Sequence, residues 1–148
     1  MKILLVCTGN TCRSAMAQGI LEKILNDNNK NDTVTSAGIS VYEPSCASKN
    51  AILALKDMEI DISSHISKAL TPDMVEKADL VLTMTNAHRD ILKTAMENCK
   101  NKIFTLGEYA YDKNEQVPDP YGMDIDAYKE CAVSIENALE AVYKKIYG

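Results

Sequence analysis

A thiol at position 7 and a guanidinium at position 13 bracket the polar stretch Thr8-Gly9-Asn10-Thr11-Cys12. The apolar run Ile3 to Val6 leads straight into Cys7, and a helical pattern begins after Arg13. A loop joining a strand end to a helix start presents successive backbone N–H groups, which form a concave nest for anions. The helix adds its positive N-terminal dipole. Gly9 permits a backbone conformation closed to most residues, and Asn10 tolerates the left-handed region better than most. Arg13 offers a planar, two-pronged grip on two oxygens. Cys7 would lie beneath the anion, where such donors favour thiolate over thiol, and Ser14 adds a further hydrogen bond. This pattern suits attack on phosphorus, with donors aimed at the equatorial oxygens of the transition state. A cysteine six positions before an arginine is a weak signal by itself, and cysteine is also ordinary core packing. The strand-end position, the Gly9-Asn10 pair and the helix after Arg13 together favour chemistry.

A departing group needs a proton. Pro118-Asp119-Pro120-Tyr121 offers a carboxyl group stiffened by flanking prolines. Held over the mouth of the loop, Asp119 would protonate the leaving atom and then act as base toward water. On spacing alone this is equally an ordinary Asp-Pro turn, and Asp112, Asp124 and Asp126 compete for the role.

Four β-like runs must position these groups: Lys2–Thr8, Thr33–Ile39, Asp79–Met84 and Lys102–Leu106. Helical patterns lie between them. Residues 14–26 carry an apolar stripe of Met16, Ala17, Ile20, Leu21, Ile24 and Leu25. A second helix is expected over 46–58, with Ala51, Ile52, Leu55 and Met58 inward. Thr71-Pro72-Asp73 reads as a helix start. A helix over 86–97 is expected to turn Ile91, Leu92, Ala95 and Met96 inward. The last helix, 124–147, carries Ile125, Tyr128, Ala132, Ile135, Leu139, Val142 and Ile146 on one face. Residues 107–123 read as one long irregular stretch, of the kind that often carries function. Strand alternating with helix implies an α/β, doubly wound fold: a four-stranded parallel sheet flanked by helices, with a phosphate-binding loop after the first strand. In such folds ligands bind beyond the carboxyl ends of the strands, where Cys7 stands.

At 148 residues the chain reads as a single domain, 1–148. Acidic residues outnumber basic ones 21 to 16, for a net charge of −5, which argues against a nucleic-acid partner. No apolar run approaches a membrane span, and the apolar start is too short for a leader, so a cytoplasmic location is expected. Five cysteines without a C-x-x-C pair support neither a disulfide framework nor structural zinc. His65 and His88 stand apart with no carboxylate cluster. They read as capping or surface groups, and no metal or cofactor is expected.

CTGNTCRS at 7–14 with a distant DPYG at 119–122 resembles the low-molecular-weight protein tyrosine phosphatases. The resemblance spans essentially the whole chain and extends to TSAG at 35–38, ADLVLTMT at 78–85, KIFTLGEY at 102–109 and DPYGMDIDAY at 119–128. It is strongest to the bacterial branch acting on phosphoarginine in proteins, which typically has threonine where this chain has Thr11; tyrosine-specific enzymes carry a larger aliphatic residue there. The resemblance implies Cys7 as nucleophile, Arg13 as phosphate clamp, Asp119 as general acid and Thr11 as substrate selector. It also implies a substrate-binding loop of Thr8, Gly9, Asn10, Thr11, Cys12 and Ser14, with Asn10, Ser14 and Ser36 as its hydrogen-bonding supports. Phosphorylated proteins would be the partners. Tyr121 is a candidate pocket wall; Tyr42 and Glu43 are candidates too, though both also read as plain surface residues. A Cys7–Cys12 disulfide that protects the nucleophile is a further implication, against the alternative that Cys12 packs behind the loop. After Tyr121 stands Gly122, where the tyrosine enzymes often present a second aromatic, so one wall of the cleft should be open.

A tyrosine phosphatase of the same family is the main alternative. Arsenate reductases share CTGN-x-CRS but need two further cysteines near the third strand, where this chain reads LVLTMTNAHRD and Cys99 stands alone beyond. Phosphocysteine carriers typically lack the clamp arginine and the Asp-Pro loop.

Overall fold

The first strand is apolar at every position from Ile3 to Val6 because both of its faces are covered. In the computed structural model, which describes residues 1–148, strand β1 (Lys2–Cys7) is followed by α1 (Arg13–Asp27), β2 (Thr33–Gly38), α2 (Lys49–Lys56), α3 (Pro72–Lys77), β3 (Leu80–Thr83) and α4 (Asn86–Ala95). A 3-10 turn over Glu97–Lys102 leads to β4 (Ile103–Thr105), α5 (Leu106–Tyr111) and the long α6 (Ile125–Tyr147). The four strands lie in the order β2-β1-β3-β4 and every pairing is parallel.

Side chains of β1 alternate between two cores, as a strand's period of two requires. Ile3, Leu5 and Cys7 join a cluster of 29 buried residues with Leu80 and Leu82 of β3 and the inner faces of α1, α2 and α6. Leu4 and Val6 join Val81, Ile103, Val75 and Leu92 in a cluster of 9 under α3 and α4. The order puts β1 inside the sheet, so Cys7 emerges at its carboxyl edge with neighbours on both sides. No helix is long and apolar enough to cross a membrane.

Three expectations are corrected. Residues 107–123 are not irregular throughout, because α5 occupies the first part. Its start is a capping box: the Thr105 hydroxyl accepts from the Glu108 amide at 3.0 Å while the Glu108 carboxylate accepts from the Thr105 amide at 2.8 Å. The second helix does not begin at 46. Cys46 bridges to Ile66 in extended form, and the Ser48 side chain caps the helix by accepting from Ala51 N–H. In α4 the inward face is His88 and Leu92; Ile91 is 52% exposed and Ala95 is also exposed. Arg89, paired to Glu108 of α5 at 2.7 Å, helps fix that rotation.

Candidate active site

Four carbonyls shape the loop after β1. Those of Cys7, Thr8, Asn10 and Thr11 accept, in turn, from the amides of Ile39 and Ser40, the His65 ring and the amide of Ser48. All four carbonyls are thus spent on partners elsewhere in the protein. The N–H groups of Thr8, Gly9, Thr11, Cys12 and Arg13 have no acceptor within the protein. Helix α1 follows with no side-chain cap and no acidic residue in its first turn, whereas the N-cap side chains of α2 through α6 all accept a backbone N–H. The result is a ring of donors backed by a helix dipole, open to an anion.

Asn10 is the keystone of the ring. It is fully buried and sits in the left-handed region at φ 55°. Its amide donates to Ser14 Oγ at 2.8 Å and Ser36 Oγ at 2.9 Å, and its Oδ1 accepts from Lys68 N–H at 2.9 Å. Ser36, having accepted from Asn10, donates to Gln18 Oε1 at 2.5 Å. Ser14 accepts from Asn10 and so keeps its own proton for Cys7 Sγ, 2.8 Å away; the backbone N–H of Asn10 reaches the same sulfur at 3.3 Å. Two donors therefore converge on Cys7, the arrangement a thiolate needs.

Of the two residues whose types allow an unusual backbone, Asn10 alone takes positive φ; Gly9 does not. The glycine the loop depends on is Gly38, at the end of β2. A Cβ there would lie 2.5 Å from Thr8 O and 3.0 Å from Asn10 N.

Cys7, Thr8, Gly9, Thr11, Cys12, Arg13, Asp119 and Tyr121 line one cavity of about 250 Å³. Asn10 and Ser14 stand behind it. Arg13 is buried; it donates to Val117 O at 3.0 Å, and its other terminal nitrogen lies 3.5 Å from Asp119 Oδ2. The Asp119 side chain is half exposed, and its second oxygen accepts from Tyr121 N–H at 3.1 Å. Of the competing carboxylates, Asp112 ends α5 and Asp124 caps α6, while Asp126 lies in the first turn of α6. None of them lines the cavity. Tyr42, 94% exposed, and Glu43 also lie outside it, so both are surface residues. Cys7 and Cys12 are both free thiols, and Cys12 Sγ contacts Ser48 Oγ at 3.4 Å and Tyr128 OH at 3.5 Å. Burial pushes the Tyr128 hydroxyl up to about 12, helped by its contact with Cys12.

The histidines are not surface groups. His65 Nε2 bonds the Asn10 carbonyl at 2.8 Å. His88 is buried between Thr85 and Thr8, 3.0 and 2.9 Å away. Burial, with the nearby Arg13 charge, pushes its ring down to about 4, against a weaker opposing pull from Asp119, so it is neutral at ordinary pH. The local signal for His88 was its place just past the end of β3, which pairs with β1 and so ends beside Cys7. Nothing local marks His65. Cys131, also unremarked in the sequence, lies behind the Asp119 loop near Pro118 O, and burial pushes its thiol up to about 12.

A family model described as low molecular weight phosphotyrosine protein phosphatase matches residues 2–147. A protein-arginine-phosphatase of Bacillus subtilis (strain 168) is 38% identical over 99% of this chain and 97% of its own. The low molecular weight protein-tyrosine-phosphatase PtpB of Staphylococcus epidermidis is 32% identical over 96% of each. Among solved structures, that of the YwlE arginine phosphatase with its cysteine changed to serine and that active-site serine phosphorylated superposes with a TM-score of 0.95. It is 37% identical and covers 99% of this chain and 96% of its own. With the match running from Lys2 at the start of β1 to the last turn of α6, the chain belongs to the low molecular weight phosphotyrosine protein phosphatase family and is a cysteine-dependent phosphatase.

Proposed function

We propose that this chain hydrolyses phosphoarginine in proteins. Cys7 thiolate attacks phosphorus while the loop amides and Arg13 hold the equatorial oxygens. The N–P bond breaks, its electron pair goes to the guanidino nitrogen, and Asp119 supplies the proton. Water then attacks the phosphocysteine, Asp119 takes the water's proton, the S–P bond breaks, and inorganic phosphate leaves. Thr8, Gly9, Thr11 and Cys12 contribute the wall of the cavity, and Asn10 and Ser14 hold the nucleophile. The whole chain, 1–148, acts as one phosphatase domain. A cytoplasmic location suits it, because a thiolate nucleophile must be kept reduced.

The observation that carries the choice of substrate is Thr11, whose hydroxyl-bearing side chain lines the cavity with the Asp119 carboxylate. A guanidino group is polar and planar, and it is served by a small wall with a hydroxyl and by a facing carboxylate. The similarity to arginine phosphatases over nearly the full chain supports the same reading. Tyr121, 77% exposed at the same cavity, favours the second reading, phosphotyrosine, since it offers an aromatic face.

A side-by-side assay of phosphoarginine and phosphotyrosine substrates decides between them. Wild type is expected to favour phosphoarginine. Thr11→Ile removes a hydroxyl and adds apolar surface, a change worth ~1–3 kcal/mol in a desolvated site. It should therefore shift the kcat/KM ratio toward phosphotyrosine by roughly tenfold to a hundredfold. Wild-type preference for phosphotyrosine, or an unchanged ratio in Thr11→Ile, would make the second reading the right one.

A further inference from the structure

The chain of contacts Thr85–His88–Thr8 ends at the cavity, and counting its protons gives it a direction. Thr85 caps α4, so its Oγ1 accepts the His88 amide N–H at 3.3 Å. The Thr85 hydroxyl proton then has one acceptor in reach, His88 Nδ1 at 3.0 Å. That leaves the neutral ring with its proton on Nε2, which donates to Thr8 Oγ1 at 2.9 Å. Thr8 Oγ1 makes no other hydrogen bond within the protein, so its own proton is free, and Thr8 lines the cavity with Cys7 and Arg13.

A hydroxyl can donate or accept. In a ring of unpaired amides, a hydroxyl left to itself would be drawn to accept. Fed a proton by His88, it is turned into a donor, the only role an oxyanion can use. We infer that Thr8 contacts the substrate by donating its hydroxyl proton to an oxygen of the bound phosphoryl group, and that His88 is a positioning residue that aims that proton. The groups facing His88 agree with this. Arg13 opposes a charge on the ring, and Asp119 draws protons only weakly from its distance. The inference rests on the cavity being a phosphoryl site, though not on whether arginine or tyrosine carries the phosphate.

The test measures binding of inorganic phosphate by calorimetry, with kcat/KM on an aryl phosphate. Thr8→Val keeps the shape and loses the hydroxyl; it should weaken phosphate by about tenfold, while Thr8→Ser stays near wild type. His88→Leu should show a similar loss, His88→Gln should recover much of it through its amide N–H, and Thr8→Val/His88→Leu should be no weaker than Thr8→Val alone. Nitrogen NMR of the wild type should show His88 protonated on Nε2. If His88→Leu fails to fold, the two Thr8 variants and the NMR measurement decide alone. Phosphate affinity in Thr8→Val within twofold of wild type, additive losses in the double variant, or an Nδ1-protonated ring would each overturn the inference. A wild type that does not bind phosphate would remove the phosphoryl-site reading and this inference with it.

Discussion

The loop that holds Cys7 and the loop that holds Asp119 meet at one cavity but are built in opposite ways. Between Cys7 and Ser14, five of eight residues are buried and Asn10 alone takes part in five hydrogen bonds. Between Asp112 and Asp124 only Val117 and Pro120 are buried. That second loop is fastened at a few points: Val117 N–H to Met84 O, Asn86 N–H to Gln116 Oε1, Arg13 to Val117 O, and Glu115 O packed on Gly107. A frame that stabilises transition-state charge works by being fixed before the reaction, because then nothing must reorganise when charge develops. An acid that serves both leaving group and water must instead stay near solvent. The proposed division of roles matches this division of burial.

The largest effects are expected from replacing Cys7 and Asp119. Cys7→Ser should abolish turnover while phosphate still binds, since the donors remain. Asp119→Asn should lower kcat by ~10²–10⁴-fold, the usual cost of losing one acid catalyst, without weakening phosphate. Kinetics and calorimetry on both variants check this, and wild-type kcat in Asp119→Asn would reassign the acid.

Two glycines allow each loop to be disturbed separately. In Gly38→Ala the new Cβ meets Thr8 O at 2.5 Å, so phosphate affinity and kcat should fall together, with stability lowered by about 1–3 kcal/mol. In Gly107→Ala the Cβ would run into the Glu115 carbonyl, which pushes on the loop that carries Asp119. There kcat should drop while phosphate affinity holds. Equal effects on binding in the two variants would show that the loops are not independent.

The smallest effect is one of pH. His88 titrates near 6.5 when unfolded and at about 4 when folded. The unfolded chain therefore binds the extra proton between those values, and the stabilisation present above pH 6.5 is lost as pH falls toward 4. The contribution has a slope of at most about 1.4 kcal/mol per pH unit. Denaturant unfolding of wild type and His88→Gln from pH 7.5 to 4.5 should show the wild type losing stability faster; parallel curves would contradict a buried neutral ring.

What was legible in the sequence divides along similar lines. The four strands, the loop between Cys7 and Arg13, and the face of α6 were readable because each is written in consecutive or periodic residues. The place of Asp119 beside Cys7 and Arg13 was readable through its prolines and the family resemblance, though spacing alone left three rivals. The start of α5 was written locally as Thr105-x-x-Glu108, yet the tyrosines and glycine around it showed no helical period. Ile91 was misassigned because the facing of a short helix is set by its neighbours, here Arg89 with Glu108 and His88 with Thr8. The histidines were missed for the same reason: their partners lie 55 and 80 residues away in the chain. Propensity allowed a left-handed backbone at both Gly9 and Asn10. The fold gave it to Asn10, whose carboxamide repays the strain with its three side-chain bonds.

The 3.5 Å contact between Arg13 and Asp119 also bears on how a reaction cycle ends. A guanidinium buried this deeply is costly to leave without a counter-charge. With the Asp119 carboxylate at its side, the guanidinium keeps a counter-charge of its own, so in the proposed cycle the departure of inorganic phosphate would not expose a bare cation.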